Sequence, residues 1–296
     1  MALPLLPLLL ATVGAASGSD SVFDVTHYGA RPCAPGGGAC PSCTAAFRAA
    51  TAAAAKAALA SPGQRAEVLV PGPATYTTGP FNVSTRTTLL VQPGAVVKGS
   101  ENLSEYTIIA PLPSYGSARD GRPPGCPKDG CHTRYQALVM VPPGSVDVIL
   151  AGGGTLDGSG SFWWSKGGQL KAGRPHLVEL QSATRVEVGP LTLLNSGFWT
   201  LHPVYSKDIH IHDLNISAPA PSPNTVRAGR ELLAVLLHAR VHVSLLIDCT
   251  RTTGVNEQDG IDPDSSENVL IERCTISCGD DRAYRNHNQI TSGSSL

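Results

Sequence analysis

No run of like charges interrupts this chain. Only 15% of its residues are charged and the formal net charge is −1, so neither a nucleic-acid-binding surface nor a polybasic membrane patch is expected. A stretch of the ~20 apolar residues that a membrane-spanning helix needs is also lacking. The N-terminal apolar run, Ala2 to Val13, is shorter and is interrupted by Pro4 and Pro7. It ends in small residues, and although the usual preceding basic residues are missing, it reads as a secretory signal over residues 1–18, with cleavage between about Ala16 and Asp20. The expected location is extracellular or in a cell wall, with no membrane association.

Metal-ligand spacing is missing as well. Cys40 and Cys43 form a single CxxC with no second pair and no histidines near it, so no metal and no cofactor are expected. Eight cysteines in a secreted chain point to disulfides instead, and the local candidates are Cys126 with Cys131 and Cys274 with Cys278. Asn82, Asn102 and Asn215 each head an Asn-x-Ser sequon and are candidate glycosylation sites. With 296 residues, 42% of them apolar, the chain can bury a substantial core, and a monomer is expected.

Helical sequence is scarce. Thr44 can cap one helix through AAFRAATAAAAKAALA, which Ser61-Pro62-Gly63 stops. From Val68 onward the chain consists of short β-branched runs punctuated by Gly, Pro, Asn and Asp. RVEVGPLTLLNS from Arg185, DIHIHDLNISAP from Asp208 and NVLIERCTISCGDD from Asn268 can be laid over one another. Self-similarity at a period in the twenties predicts an all-β solenoid whose coils bury their inward side chains on each other, with the helix capping the open N-terminal end.

The period also isolates one segment. Val186 to Ile209 is 23 residues, one coil, whereas Ile209 to Val269 is 60. Taking out the 33 residues from Val226 to Gln258 restores 27 and joins the flanks as SPNTDGIDPDSS. Val-Arg at one end can be encoded GTGAGG and Gln at the other CAG, so the segment is expected to be a retained intron of 99 nucleotides, in frame.

Asp259 precedes the pair Asp280-Asp281 by 21 residues, close to one coil. DGID, DPDSS and GDD are each ordinary polar turns when taken alone. At coil spacing they place three carboxylates on one wall, where mutual repulsion keeps one protonated as a general acid beside ionised partners able to activate water. His202 lies inside a coil, where a histidine is commonly structural. Trp163 and Trp164 suit wall packing, and His210 and His212 suit an exposed strand face.

The stretches FDVTHYGA, TGPFNVSTRTTLLVQPGAVVKGS, IIAPLPSYG, RYQALV, GGGTLDGSGSFWW, RPHLVEL, LLNSGFWTLHPVYSKDIHIHDLNISAP, the split SPNT and DGIDPDSSENV, and ISCGDD follow one order. In that order the chain resembles the polygalacturonase-type enzymes of glycoside hydrolase family 28. The resemblance implies a right-handed parallel β-helix and hydrolysis of α-1,4-galacturonosyl bonds in pectin, with a galacturonan as the polysaccharide partner. It makes Asp280 the proton donor, Asp259 and Asp281 the pair that activates water, and Asn224 and His202 substrate-binding residues. Single displacement with inversion follows, for which carboxyl groups stand ~6.5–9.5 Å apart. The family continues past GDD with further coils, a glycine-flanked histidine and an Arg-x-Lys element. Here RAYRNHNQITSGSSL follows, His287 has no flanking glycines and no lysine occurs after Lys207. The expected organisation is a hydrolase domain over 22–281, incomplete at its C-terminus, with a non-native insert at 226–258 and an aberrant tail at 282–296. The competing expectation is a non-catalytic β-helix that binds glycans.

Overall fold

Val186, Ile209 and Val269 stand in one row of a parallel sheet, as the sequence overlay predicts. The computed structural model describes residues 21–34, 40–112, 133–166, 169–217, 242–244 and 260–277, and the chain winds as a right-handed parallel β-helix. The first sheet has eight strands, in spatial order Ser21–Asp24, Ala66–Val70, Thr87–Val91, Val146–Ala151, Thr184–Val188, Lys207–His212, Glu267–Glu272 and His242–Ser244. The second has six: Ala74–Thr78, Ala95–Gly99, Thr155–Asp157, Leu191–Leu194, Leu214–Ser217 and Thr275–Ser277. The third has four, Phe81–Asn82, Val139–Val141, Val178–Gln181 and Leu201–Val204, and is continued by bridges from Leu201 to Ile261 and from Val204 to Asp264.

Alternation fixes what faces inward. Along the first sheet Phe23, Val68, Leu89, Leu150, Val188, Ile211 and Ile271 form one column, each beside the next. All but the half-buried Phe23 are fully or nearly fully removed from solvent. Each buried aliphatic side chain of this kind contributes ~1.5–3 kcal/mol, and stacking supplies the burial that no single coil could provide. Between the first and second sheets the chain must turn sharply. At Gly189 φ is +133° and a Cβ would lie 1.7 Å from the His212 carbonyl oxygen of the next coil, so only glycine fits.

The helix α1, Thr44–Ala60, closes the N-terminal end as expected. Ala46, Phe47, Ala50, Ala54 and Ala58 are its buried face, and the small alanines let the helix backbone lie close to the first coil. Thr44 is the first helical residue rather than the cap: Cys43 holds that position without a side-chain cap bond. The Thr44 hydroxyl donates to Glu105 Oε2 at 2.7 Å and accepts from the Gly79 amide at 2.7 Å, which ties the helix to the side of the solenoid.

Coil length departs from the sequence reading. Successive coils bring together residues 61 apart at Thr85 and Val146, 38 apart at Asp147 and Arg185, 23 apart at Ala183 and Ser206, and 60 apart at Asp208 and Asn268. A coil can therefore carry a long side excursion and return in register, and length alone does not set 226–258 apart. Within that segment His242–Ser244 forms a strand parallel to Glu267–Glu272, at the end of the first sheet.

The cysteines also correct an expectation. Cys33 bonds to Cys40. Cys274 is buried with a free thiol that donates to the Glu272 carbonyl, so the bridge expected with Cys278 is not made. Cys126, Cys131 and Cys278 lie outside the described residues.

Candidate active-site face

Outward-pointing residues of the third sheet fall in a row that runs along the solenoid. Asn82 pairs with Met140, Met140 with Glu179, and Glu179 with His202. The two bridges to Ile261 and Asp264 continue the same register, which sets Asp262 opposite His202. Backbone bonds lock this last rung: the Asp262 amide donates to the Leu201 carbonyl and the Asp264 amide to the Pro203 carbonyl, both at 2.8 Å. Gly260 to Asp264, the residues directly after Asp259, thus extend the sheet that carries His202.

Two side excursions cover the middle of the row. Arg134 pairs antiparallel with Ile109 and bridges Gly173. An aromatic cluster holds these segments down: the Trp163 ring lies 4.8 Å from Tyr106, 5.3 Å from Tyr135 and 5.3 Å from Phe162. Trp163 and Trp164 are both buried on the short helix α2, Gly160–Lys166, and serve as wall packing, as the sequence predicts.

Beneath this cover sits a polar cluster shut off from water. Glu179 and His202 are 0% exposed, His176 3% and Arg134 8%. Arg134 Nη2 donates to Glu179 Oε1, and Gln181 Nε2 donates to the same oxygen at 2.8 Å. His202 Nδ1 lies 3.8 Å from it. The His176 ring stacks on Trp199 at 5.1 Å and lies 4.8 Å from His202.

The electrostatics follow from burial. Loss of water raises the Glu179 carboxyl above its ordinary range, against the opposing pull of Arg134 and Gln181. Burial also holds both imidazoles well below the usual histidine value, reinforced at His176 by His202 and Arg134 and at His202 by Arg134. Both histidines are therefore neutral at ordinary pH. The ligand-type atoms of His176, Glu179 and His202 come within 4.8 Å of one another. Arg134 already occupies Glu179 and fixes a positive charge there, so the cluster suits an ion pair rather than a bound cation. It can hold the sheet face rigid; it is not placed to exchange protons with solvent.

At the N-terminal end of the row the face opens into a groove of about 380 Å³ whose lining includes Asn82, Gln136, Met140 and Gln181.

Of the residues singled out from sequence, His202 is inside the cluster and closed to solvent. Asn224, Asp259, Asp280 and Asp281 lie outside the described residues. Asn82, Asn102 and Asn215 are exposed. Asn102 Oδ1 accepts from the Ser104 amide at 3.1 Å and its hydroxyl at 2.8 Å. His210 and His212 lie side by side on the outer face of the first sheet, paired with Glu272 at 3.0 Å and Glu187 at 3.2 Å. Arg134, His176 and Glu179 were missed. The signal was a charged residue in the otherwise apolar strand HLVEL, and its partner came from a distant coil.

Comparison with known proteins bears on this face. The family model for glycosyl hydrolases family 28 matches residues 129–284. A protein of Vitis vinifera described as a "Probable polygalacturonase" is 36% identical over 209 residues, 70% of this chain and 34% of its own length. The chain thus spans about a third of that relative. Among solved structures, the family 28 exopolygalacturonase of Yersinia enterocolitica superposes with a TM-score of 0.63 at 17% identity, over 91% of this chain and 45% of its own. The hyperthermoactive exopolygalacturonase of Thermotoga maritima gives 0.60 at 20% identity, over 91% and 55%. These two share the fold. The family match covers more than half of the chain, including the row from Met140 to Asp262, and the chain belongs to the glycosyl hydrolases family 28.

Proposed function

We propose that the chain hydrolyses α-1,4-galacturonosyl bonds of pectin by single displacement with inversion, as a secreted monomer acting on cell-wall polysaccharide. Asp280 gives its proton to the glycosidic oxygen as the bond to the anomeric carbon breaks. Asp259 and Asp281 hold a water on the opposite face and take its proton as it attacks. Asn224 contacts the substrate. Removal of 226–258 makes Asn224, Thr225 and Asp259 consecutive, so the insert is read as foreign to a hydrolase domain over 22–281.

The observation that carries this reading is the family match over 129–284, which spans all four of these residues. The unbroken register from Glu179 through His202 to Asp262 supports it, because it anchors the residues beside Asp259 to a rigid face. Neutral His202, with Nδ1 3.8 Å from Glu179 Oε1, acts as a positioning residue for that rung.

The test is polygalacturonate incubated with a chain lacking 226–258 and continued through the remaining coils of the Vitis vinifera relative. New reducing ends are expected, and proton NMR of the first-formed sugar is expected to show the inverted anomer. Binding without cleavage would instead make the chain a glycan-binding β-helix.

A further inference from the structure

The coil that carries His202 also carries two aromatic side chains that the buried cluster does not enclose. Phe198 and Trp199 lead into the strand Leu201–Val204, and both stay half-buried, whereas Trp163 and Trp164 are packed away from solvent. The rings of Phe198 and Trp199 lie 5.1 Å apart with only 14° between their planes. Behind them the buried His176 ring is stacked on both, at 5.4 Å and 28° to Phe198 and at 5.1 Å and 18° to Trp199. The His202 ring meets Trp199 edge-on at 4.9 Å. Three rings in nearly parallel planes, set against a closed polar cluster, form a rigid platform.

Backbone bonds tie the platform to the coils on both sides. The Leu177 amide donates to the Trp199 carbonyl at 3.1 Å, and the Leu201 amide donates to the Gly260 carbonyl at 3.2 Å. Trp199 thus stands two residues from the rung that holds Gly260, and Gly260 directly follows Asp259 in the chain. The remaining component is charge. Arg174 lies over the Phe198 ring, with Cζ 5.3 Å from the centroid, a contact that orients the guanidinium. Its five N–H donors allow it to hold a carboxylate through two bonds while keeping another partner in the protein.

An apolar ring face beside a fixed cation matches a uronic acid: the C–H groups of the pyranose lie on the aromatic ring and the carboxylate reaches the guanidinium. A neutral sugar uses only the first of these contacts and a small anion only the second. Building on the hydrolase reading above, we propose that Phe198, Trp199 and Arg174 form a subsite for a galacturonosyl unit beside the rung that follows Asp259, with Trp199 as the stacking surface and Arg174 selecting the free carboxylate over its methyl ester.

The test is a titration of the full chain with trigalacturonic acid, its methyl ester and α-1,4-galactotriose, followed by intrinsic fluorescence and calorimetry. The chain has three tryptophans, and because Trp163 and Trp164 are buried, a ligand stacked on this face changes the emission of Trp199. The free acid is expected to shift that emission and to bind ~10-fold more tightly than either uncharged probe, the size of one hydrogen bond to a charged group. Arg174→Met is expected to abolish the preference by weakening the acid alone. Trp199→Ala is expected to weaken all three probes by a similar factor, and Trp199→Phe to keep most of the affinity while losing the signal. Phe198→Leu leaves Trp199 and its contact with His202 in place; it is expected to weaken all three probes as well, and is read instead if Trp199→Ala does not fold. Unchanged affinity for the acid in Arg174→Met overturns the inference, as does unchanged affinity for all probes in the aromatic variants. Failure of the acid to bind the full chain overturns it too. If that occurs while the chain lacking 226–258 and extended to the length of the Vitis vinifera relative cleaves polygalacturonate, the subsite falls and the hydrolase reading stands. Binding with these dependences in the absence of cleavage has the reverse meaning.

Discussion

Arg134 donates to Glu179 across 45 residues of sequence, and the pair is closed to solvent on both sides. Removing one partner leaves the other as an uncompensated buried charge, a loss of ~3–5 kcal/mol, whereas an apolar replacement of both is far better tolerated. Arg134→Met is therefore expected to lower the unfolding free energy by that amount in urea titration. Arg134→Met with Glu179→Leu is expected to recover most of it. Single and double variants of equal stability would show that the pair holds nothing in place.

The same cluster sets the pH response. His176 and His202 have folded values below their unfolded ones, so the unfolded chain takes up protons first, and their contribution is complete above ~6.5 and lost as pH falls. Glu179 is raised, so its contribution is present below the unfolded value, ~4.3, and is lost as pH rises through the folded value. The two terms oppose each other. His202→Phe is expected to flatten the loss of stability between about pH 6.5 and 4.5, and Glu179→Gln to steepen it. Denaturation midpoints across that range check both slopes; parallel slopes in all three proteins would contradict the assignment.

Glycine at 189 is a stricter requirement than glycine at 144. Gly189 has φ +133° with its virtual Cβ 1.7 Å from backbone, while Gly144 has φ +79° and nothing within 4 Å. Gly144→Ala meets only the left-handed backbone penalty, ~1–2 kcal/mol. Gly189→Ala adds a backbone clash between coils and is expected to cost at least ~3 kcal/mol. Thermal unfolding of the two variants separates these costs.

Much of the fold was legible because a solenoid repeats its inward pattern: Val186, Ile209 and Val269 announce one another. The limit was coil length. Strand pairing constrains only the strands, so the coil between Thr85 and Val146 grew to 61 residues without disturbing the register, and no periodic signal marks the added length. The candidate active-site face was half legible. Turn aspartates at coil spacing are visible in sequence, whereas Arg134 and Glu179 meet only because two excursions fold over the same sheet, and neither segment's pattern contains the other.

If 226–258 is a retained intron, its removal leaves the pairing of Ile209 with Val269 intact, because that register is made outside the segment. The shortened chain is expected to fold with unchanged β-sheet circular dichroism and a melting temperature no lower than that of the full chain. Transcript sequencing is expected to show messages without these 33 codons. A message that keeps them in every tissue would sink the intron reading.

The chemistry places the strongest demand on Asp280. On the proposed assignment, Asp280→Asn in the chain lacking 226–258 and extended to the length of the Vitis vinifera relative is expected to remove the acid that protonates the leaving oxygen and to cost ~10²-fold or more in kcat. Asp259→Asn and Asp281→Asn are expected to cost a comparable factor, since the attacking water needs both carboxylates to be held and deprotonated. The effects are not expected to multiply if, as proposed, the three carboxylates act on one reaction as a unit. A substrate with a good leaving group distinguishes the roles: an aryl galacturonide needs little protonation, so it is expected to restore much of the rate of Asp280→Asn and almost none of the rate of the other two. Rescue of Asp259→Asn instead would exchange the acid and base assignments, and retention at the anomeric carbon would replace single displacement by a covalent intermediate even with all three aspartates essential.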